Sequence, residues 1–157
     1  KANAKTNVMR LLDQAGIAYT PRYYDASLAS GTEVAAALGQ SAECVFKTLV
    51  AEANTGEHFV FVIPAPETLS LKKAAKAAGV KSIAMLPQKK LLPLTGYVHG
   101  GCSPVGMKKP FPTWIDETAL LTDAFFCSAG RLGAQIGIDP ETLAGYIGAQ
   151  FADLTEE

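Results

Sequence analysis

Long apolar runs, histidines and cysteine motifs are what this sequence has least of, and each shortage excludes something. Its apolar stretches are far too short to cross a bilayer as a helix, so no membrane association is expected. The N-terminal KANAKTNVMRLL has no apolar core, so no signal peptide is expected. Three cysteines (Cys44, Cys102, Cys127) form no C-x-x-C, and the two histidines, His58 and His99, lie far apart. Neither a disulfide framework nor a metal site fits that pattern, so no metal and no cofactor are expected, and a reducing cytoplasm is the expected location. The G-x-x-x-x-G-K-[ST], G-x-G-x-x-G and G-x-S-x-G patterns are all missing, which removes the P-loop, the dinucleotide fingerprint and the nucleophile elbow. Charged residues make up only 18% and the net charge is -1, so overall charge does not advertise a nucleic-acid binder.

What is present is a core. Hydrophobic residues are 48% of 157, enough for one folded domain (residues 1–157) without repeats or linkers. Val8, Leu11, Leu12 and Ala15 share a helical face that Gly16 closes. A strand over 17–24 contains Pro21, which argues for an edge strand or a break there. A small-residue loop over 26–31 leads to Ser30, which with Glu33 makes a capping box for a helix ending at Leu38-Gly39. Residues 45–53 and 58–63 read as a hairpin turned at 54–56.

Ser70 caps a helix over 71–78 with Leu71, Ala74, Ala75 and Ala78 inward, and Gly79 stops it. A strand over 80–85 and a short helix over 86–94, limited by Pro93, follow. Strands are expected at 113–116, 124–127 and 135–138, and a last one around Phe151 and Leu154. Asp139-Pro140 opens a helix to Ile147. The fold class is α/β of the α+β type: a single domain with one curved, mixed, mostly antiparallel sheet flanked by short helices.

Two features suggest chemistry. The first is 97–116, YVHGGCSPVGMKKPFPTWID, where Gly100 and Gly101 permit close backbone approach and Pro104, Pro110 and Pro112 stiffen the chain. Such a loop presents N–H groups and the Ser103 hydroxyl to an anion or oxyanion, or it is simply a set of tight turns. The second is Lys47, inside the strand VFKTLV. Alternation puts it with Val45, Leu49 and Ala51 on one face, opposite Phe46, Thr48 and Val50. A lysine there snorkels, pairs, or is held for chemistry, and Asp116 is one possible counter-charge, for Lys47 or for Lys109.

Lys72, Lys73, Lys76, Lys81, Lys89, Lys90, Lys108 and Lys109 flank the glycine loop in sequence, as solvated surface or as a patch that tracks a phosphate backbone. A Ser-His-Asp triad would need His58 or His99 near Ser103 or Ser128. Cys102 reads either as a loop nucleophile or as a small apolar filler. The remaining combination of one lysine, loop N–H groups and the Ser103 and Ser128 hydroxyls suits holding an ester whose nucleophile comes from elsewhere.

VFKTLV at 45–50, LSLKKAAKAAGVKSIAM at 69–85, LTGYVHGGCSPVGMKKPFPTWID at 94–116 and SAGRLG at 128–133 resemble the YbaK/EbsC-type aminoacyl-tRNA deacylases, over essentially the whole chain. The branch most resembled removes cysteine mischarged on proline tRNA; relatives edit alanine on the same tRNA. The resemblance implies a bent mixed sheet, Lys47, Gly101 and Ser103 as catalytic residues, and Tyr19, Ser30, Gly100, Cys102, Pro104, Ser128 and Gln135 as substrate contacts. It implies that the substrate's own thiol attacks its ester and leaves as a cyclic thiolactone. Its implied partners are tRNA(Pro) carrying a small wrong amino acid and, transiently, prolyl-tRNA synthetase.

Two positions depart from that branch. Ser30 stands where an aromatic residue is usual, and Gln135 where aspartate is. A non-catalytic tRNA- or synthetase-binding module and a small-molecule hydrolase using Cys102 or Ser103 are the competing readings.

Overall fold

The computed structural model describes residues 3–28 and 30–157; position 29 of the 26–31 loop and the first two residues of the N-terminal segment lie outside the described residues. Among the described residues, five α-helices, α1 (Asn7–Gln14), α2 (Gly31–Leu38), α3 (Leu71–Ala78), α4 (Leu91–Thr95) and α5 (Pro140–Ile147), accompany eight strands. The strands are β1 (Thr20–Tyr23), β2 (Phe46–Ala53), β3 (His58–Pro64), β4 (Ile83–Met85), β5 (Thr113–Asp116), β6 (Phe125–Ser128), β7 (Ala134–Ile138) and β8 (Gln150–Ala152).

Pairing is mixed and mostly antiparallel, as the sequence suggests, but the strands form two sheets rather than one. The first has the order β1-β7-β6 and the second β4-β2-β3-β5-β8. A single parallel bridge between Val45 and Phe126 joins them. The division follows from β2, whose regular pairing begins at Phe46↔Pro64 and leaves only Val45 facing β6. Pro21 lies in β1, an edge strand, where its missing N–H costs no ladder bond.

The five-stranded sheet is covered on both faces. Phe46, Val50, Val60, Val62 and Ile115 pack with Val8, Met9 and Leu12 of α1 and with Phe125, Ile136 and Ile138 of the smaller sheet. Ala51, Phe59, Phe61, Ile63 and Trp114 form the other face, against Ala74 and Ala75 of α3. Small alanines allow α3 to lie close. The expected inward Leu71 instead sits 41% exposed, because the helix meets the sheet through its later residues, Ala74, Ala75, Ala77 and Ala78.

Local signals account for the helix ends. Ser30 and Glu33 complete the capping box of α2, Ser70 accepts from the Lys73 N–H, and Asp139 from the Thr142 N–H ahead of Pro140. The expected helix at 86–94 divides into a 3-10 turn (Gln88–Lys90) and α4, with Pro93 in the first turn of α4, where no intrahelical donor is lost.

Asp116 balances neither Lys47 nor Lys109. Its carboxylate, 1% exposed, accepts from the Leu154 N–H at 2.9 Å and from the N–H and hydroxyl of Thr118. It thus ties the C-terminal segment to the end of β5. Asp116→Ala is expected to destabilise the protein by about 3 kcal/mol, since buried donors lose a charged acceptor. Asp116→Asn should cost less, because one carbonyl oxygen remains. Urea midpoints at constant m-value measure both.

Candidate active site

The seam between the two sheets opens into a cavity of about 210 Å³. That is below the ~300–1,000 Å³ usual for drug-sized ligands, and it suits a group the size of an amino acid. Its walls come from the start of β2, the start of α2, the 97–102 loop, and the facing ends of β6 and β7.

Lys47 is half-buried in this cavity, paired across the sheet with Ile63. Burial pushes its pKa down from the ordinary 10.5, while the charge of Glu67 acts in the opposite direction. No salt bridge to Lys47 forms among the described residues. An ammonium held this way is poised to find its counter-charge in a ligand.

The glycine loop is built by close approach. Gly100 has φ 86°, and a Cβ there would lie 2.8 Å from a methyl of Leu132. A Cβ on Gly101 would sit 3.1 Å from Arg131 Cα and 3.2 Å from Leu132 N. The loop therefore packs its bare backbone against the turn following β6. The Gly101 N–H donates to Val98 O at 3.0 Å, so it is not available to a substrate as the sequence reading requires. The N–H groups of Gly100 and Cys102, both of which line the cavity, make no hydrogen bond among the described residues.

Ser103 differs from expectation as well. It is fully buried, its hydroxyl accepts from the Val105 N–H at 3.2 Å, and it does not line the cavity. The proline that follows turns the chain inward, and Pro104 lines a separate depression with Met107, Phe111 and Tyr146. Tyr19 lies beside Asp13 and Lys5 rather than in the cavity, because β1 runs along the smaller sheet and presents its far end there. Tyr24, just past β1, takes that place.

Ser30, Cys102, Ser128 and Gln135 do reach the cavity. Ser30 Oγ is engaged in the capping box, and Ser128 Oγ accepts from the Gly130 N–H at 3.1 Å. Burial pushes the Cys102 thiol up to about 12, so at neutral pH it is a protonated, apolar wall and no nucleophile. Among the described residues no histidine–serine hydrogen bond exists to support a triad.

Thr48, Leu28, Leu49 and Leu132 were not singled out from sequence, yet they line the cavity. Thr48 escapes an alternation argument because the cavity sits at the end of β2, where both faces of the strand contribute. Its Oγ1 and the Oε1 of Gln135 are buried without a hydrogen-bond partner.

The lysines do not form one patch. Lys73 is committed to Asp153 and to Thr155 O, at 3.0 and 2.7 Å. Lys72 and Lys76 share α3 with it, on the sheet face turned away from the smaller sheet. Lys108 lies over Gly96 and reaches Pro93 O at 3.4 Å. Lys81, Lys89, Lys90 and Lys109 are exposed, and none of the eight lines the cavity.

The sequence model of the aminoacyl-tRNA editing domain matches residues 25–146, and the chain belongs to that family. Among individual proteins, it is 42% identical to EbsC of Enterococcus faecalis, named as a candidate Cys-tRNA(Pro)/Cys-tRNA(Cys) deacylase, over 99% of this chain and 96% of EbsC. A crystal structure described as a candidate trans-editing enzyme for prolyl-tRNA synthetase superposes with a TM-score of 0.85 at 27% identity, over 98% of this chain and all of that one. A hypothetical protein of known structure gives a TM-score of 0.89 at 26% identity, over 96% and 100% of the two chains. No helix among the described residues is long and apolar enough to cross a membrane.

Proposed function

We propose that this chain is a trans-acting aminoacyl-tRNA deacylase that clears tRNA(Pro) carrying a small wrong amino acid, cysteine foremost. The observation that carries this reading is the unpaired, half-buried Lys47 in a cavity of amino-acid size that holds no activated nucleophile. The family and the named activity of EbsC support it.

In this reading the aminoacyl group enters the seam and the terminal adenosine stays at the mouth. Lys47 holds substrate oxygens and stabilises the departing ribose oxygen. The open N–H groups of Gly100 and Cys102 take the role first assigned to Gly101, facing the carbonyl oxygen as charge develops on it. The substrate thiol gives up its proton, and its sulfur bonds to the ester carbonyl carbon. The carbon–oxygen bond to ribose then breaks, and that oxygen takes a proton. The products are a cyclic thiolactone and free tRNA, and water opens the thiolactone to cysteine. Holding thiol and carbonyl in contact supplies most of the acceleration, since well-posed intramolecular attack is worth about 10⁵–10⁸ M in effective concentration.

Ser103 and Gly101 contribute by shaping the loop. In this reading the exposed Lys89, Lys90 and Lys109 meet phosphates of the tRNA, whereas Lys73 is held by Asp153. A transient complex with prolyl-tRNA synthetase in the cytoplasm would deliver the product before elongation captures it.

The mechanism is tested by charging tRNA(Pro) with 2-aminobutyrate, which replaces the thiol with a methyl group of similar size. Turnover should fall by at least about 100-fold relative to the cysteinyl ester. Equal rates would mean that water attacks directly, as in an alanine-editing hydrolase.

A further inference from the structure

Thiolactone release moves one proton from the substrate sulfur to the departing ribose oxygen, and the cavity wall limits what can carry it. Among the described residues, its titratable side chains are Tyr24, Lys47, His99 and Cys102, with no carboxylate. Lys47, as an ammonium, has no lone pair to receive a proton. The Cys102 thiol, pushed up to about 12, keeps its own proton, and a tyrosine phenol is likewise an acid and no base at neutral pH. Ser30 and Ser128 are engaged with backbone N–H groups. Imidazole is the side chain that both accepts and gives up a proton near neutral pH.

The backbone around His99 suits that work. Residues 98–101 form a tight turn, closed by the Gly101 N–H donating to Val98 O at 3.0 Å, with Gly100 at φ 86° in its third position. His99 is therefore fixed at the second position by the backbone alone. It is exposed and yet lines the cavity, which puts it on the rim. Its ring makes no hydrogen bond or ion pair among the described residues, whereas His58, outside the cavity, is held by Glu52 at 3.0 Å. The next residue, Gly100, carries one of the two open N–H groups, so donor and imidazole belong to consecutive residues of one turn.

We propose that His99 is a catalytic residue that carries this proton, taking it from the substrate thiol and delivering it to the ribose oxygen. This rests on the deacylase reading of the cavity and adds the group that completes it. Neutral imidazole takes the thiol proton as sulfur bonds to the ester carbon and the carbonyl electrons move onto oxygen. The carbonyl then re-forms, the carbon–oxygen bond to ribose breaks, and the imidazolium gives its proton to that oxygen. Sulfur and ribose oxygen are bonded to one carbon in the intermediate, so a single imidazole serves both. The ring ends neutral and no further reactant is consumed. Lys47 supplies charge and His99 the proton, so neither duplicates the other.

Single-turnover clearance of Cys-tRNA(Pro) over a range of protein concentrations separates maximal rate from half-saturation. His99→Ala and His99→Gln should each lower the maximal rate by about 100-fold, the lower end of what a positioned proton-transfer group contributes, with half-saturation unchanged. Free imidazole should restore most of the lost rate to His99→Ala in proportion to its concentration. Pyrazole, of the same shape but a far weaker base, should not. Such rescue is a result that a misfolded variant cannot give. A variant rate within about 3-fold of wild type would overturn the proposal and hand the proton to water or to the substrate's own amine. A loss confined to half-saturation would also overturn it, making His99 a contact for the tRNA end, and so would a lost rate that imidazole does not restore. All three leave the deacylase reading standing. A wild-type protein that does not clear Cys-tRNA(Pro) overturns both.

Discussion

Lys47→Ala is expected to lower ester cleavage by at least about 100-fold, the usual cost of removing one preorganised electrostatic group from a reacting centre. The fold should persist, because the side chain makes no salt bridge among the described residues and its strand is held by Phe46, Val50 and Ala51 on both faces. Stability should change in an informative direction. Burial lowers the folded-state pKa of Lys47 below 10.5, so between the two values the unfolded chain binds more protons and stability rises with pH. Below that window the cost of burying the charge is fully present. A Lys47→Met variant, which keeps the stem, should therefore be at least as stable as wild type at neutral pH, and its advantage should fade at alkaline pH. Activity should follow the opposite course, falling as pH rises through the lowered pKa and the ammonium is lost. A lysine with a merely structural role would instead give variants that unfold, with residual activity tracking the folded fraction.

Gly31→Ala should have the other large effect, and its cause is steric. A Cβ at Gly31 would stand 2.3 Å from the Cβ of Ala65, well inside contact distance. Gly31 begins α2, Ala65 follows β3, and both line the cavity, so the two walls must move apart. The expected result is a drop in activity of about 100-fold, the scale of a misplacement of about 1 Å at a reacting centre. Overpacking should also cost about 1–3 kcal/mol of stability. Ala65→Gly removes the opposing methyl, so the double variant Gly31→Ala/Ala65→Gly should recover most of both losses. Failure of the double variant to recover would mean that Gly31 is needed for something other than this contact.

Much of the fold was legible because its signals are local. Ser30–Glu33, Ser70, Asp139–Pro140 and the glycines after each helix mark helix ends through caps and left-handed turns, and these lie where the sequence puts them. Pairing partners were less legible. The parallel contacts of β5 with β3 and β8, and the break between β2 and β6, depend on long-range packing that no local pattern encodes.

The site shows the same contrast. Lys47 stood out as a charge in an apolar strand, and the glycine loop stood out by composition. Which donors that loop leaves open depended on one turn, in which Gly101 bonds to Val98 and Ser103 to Val105. Thr48 was hidden because an ordinary threonine in a strand gives no signal until its hydroxyl is seen buried and unpartnered.

The most direct test is single-turnover deacylation of Cys-tRNA(Pro) by excess wild-type protein, beside correctly charged Pro-tRNA(Pro). The account predicts rapid loss of the cysteinyl ester, with the prolyl ester left at its spontaneous rate. Survival of Cys-tRNA(Pro) at its own spontaneous rate would contradict it and leave a protein that has the editing fold without the activity.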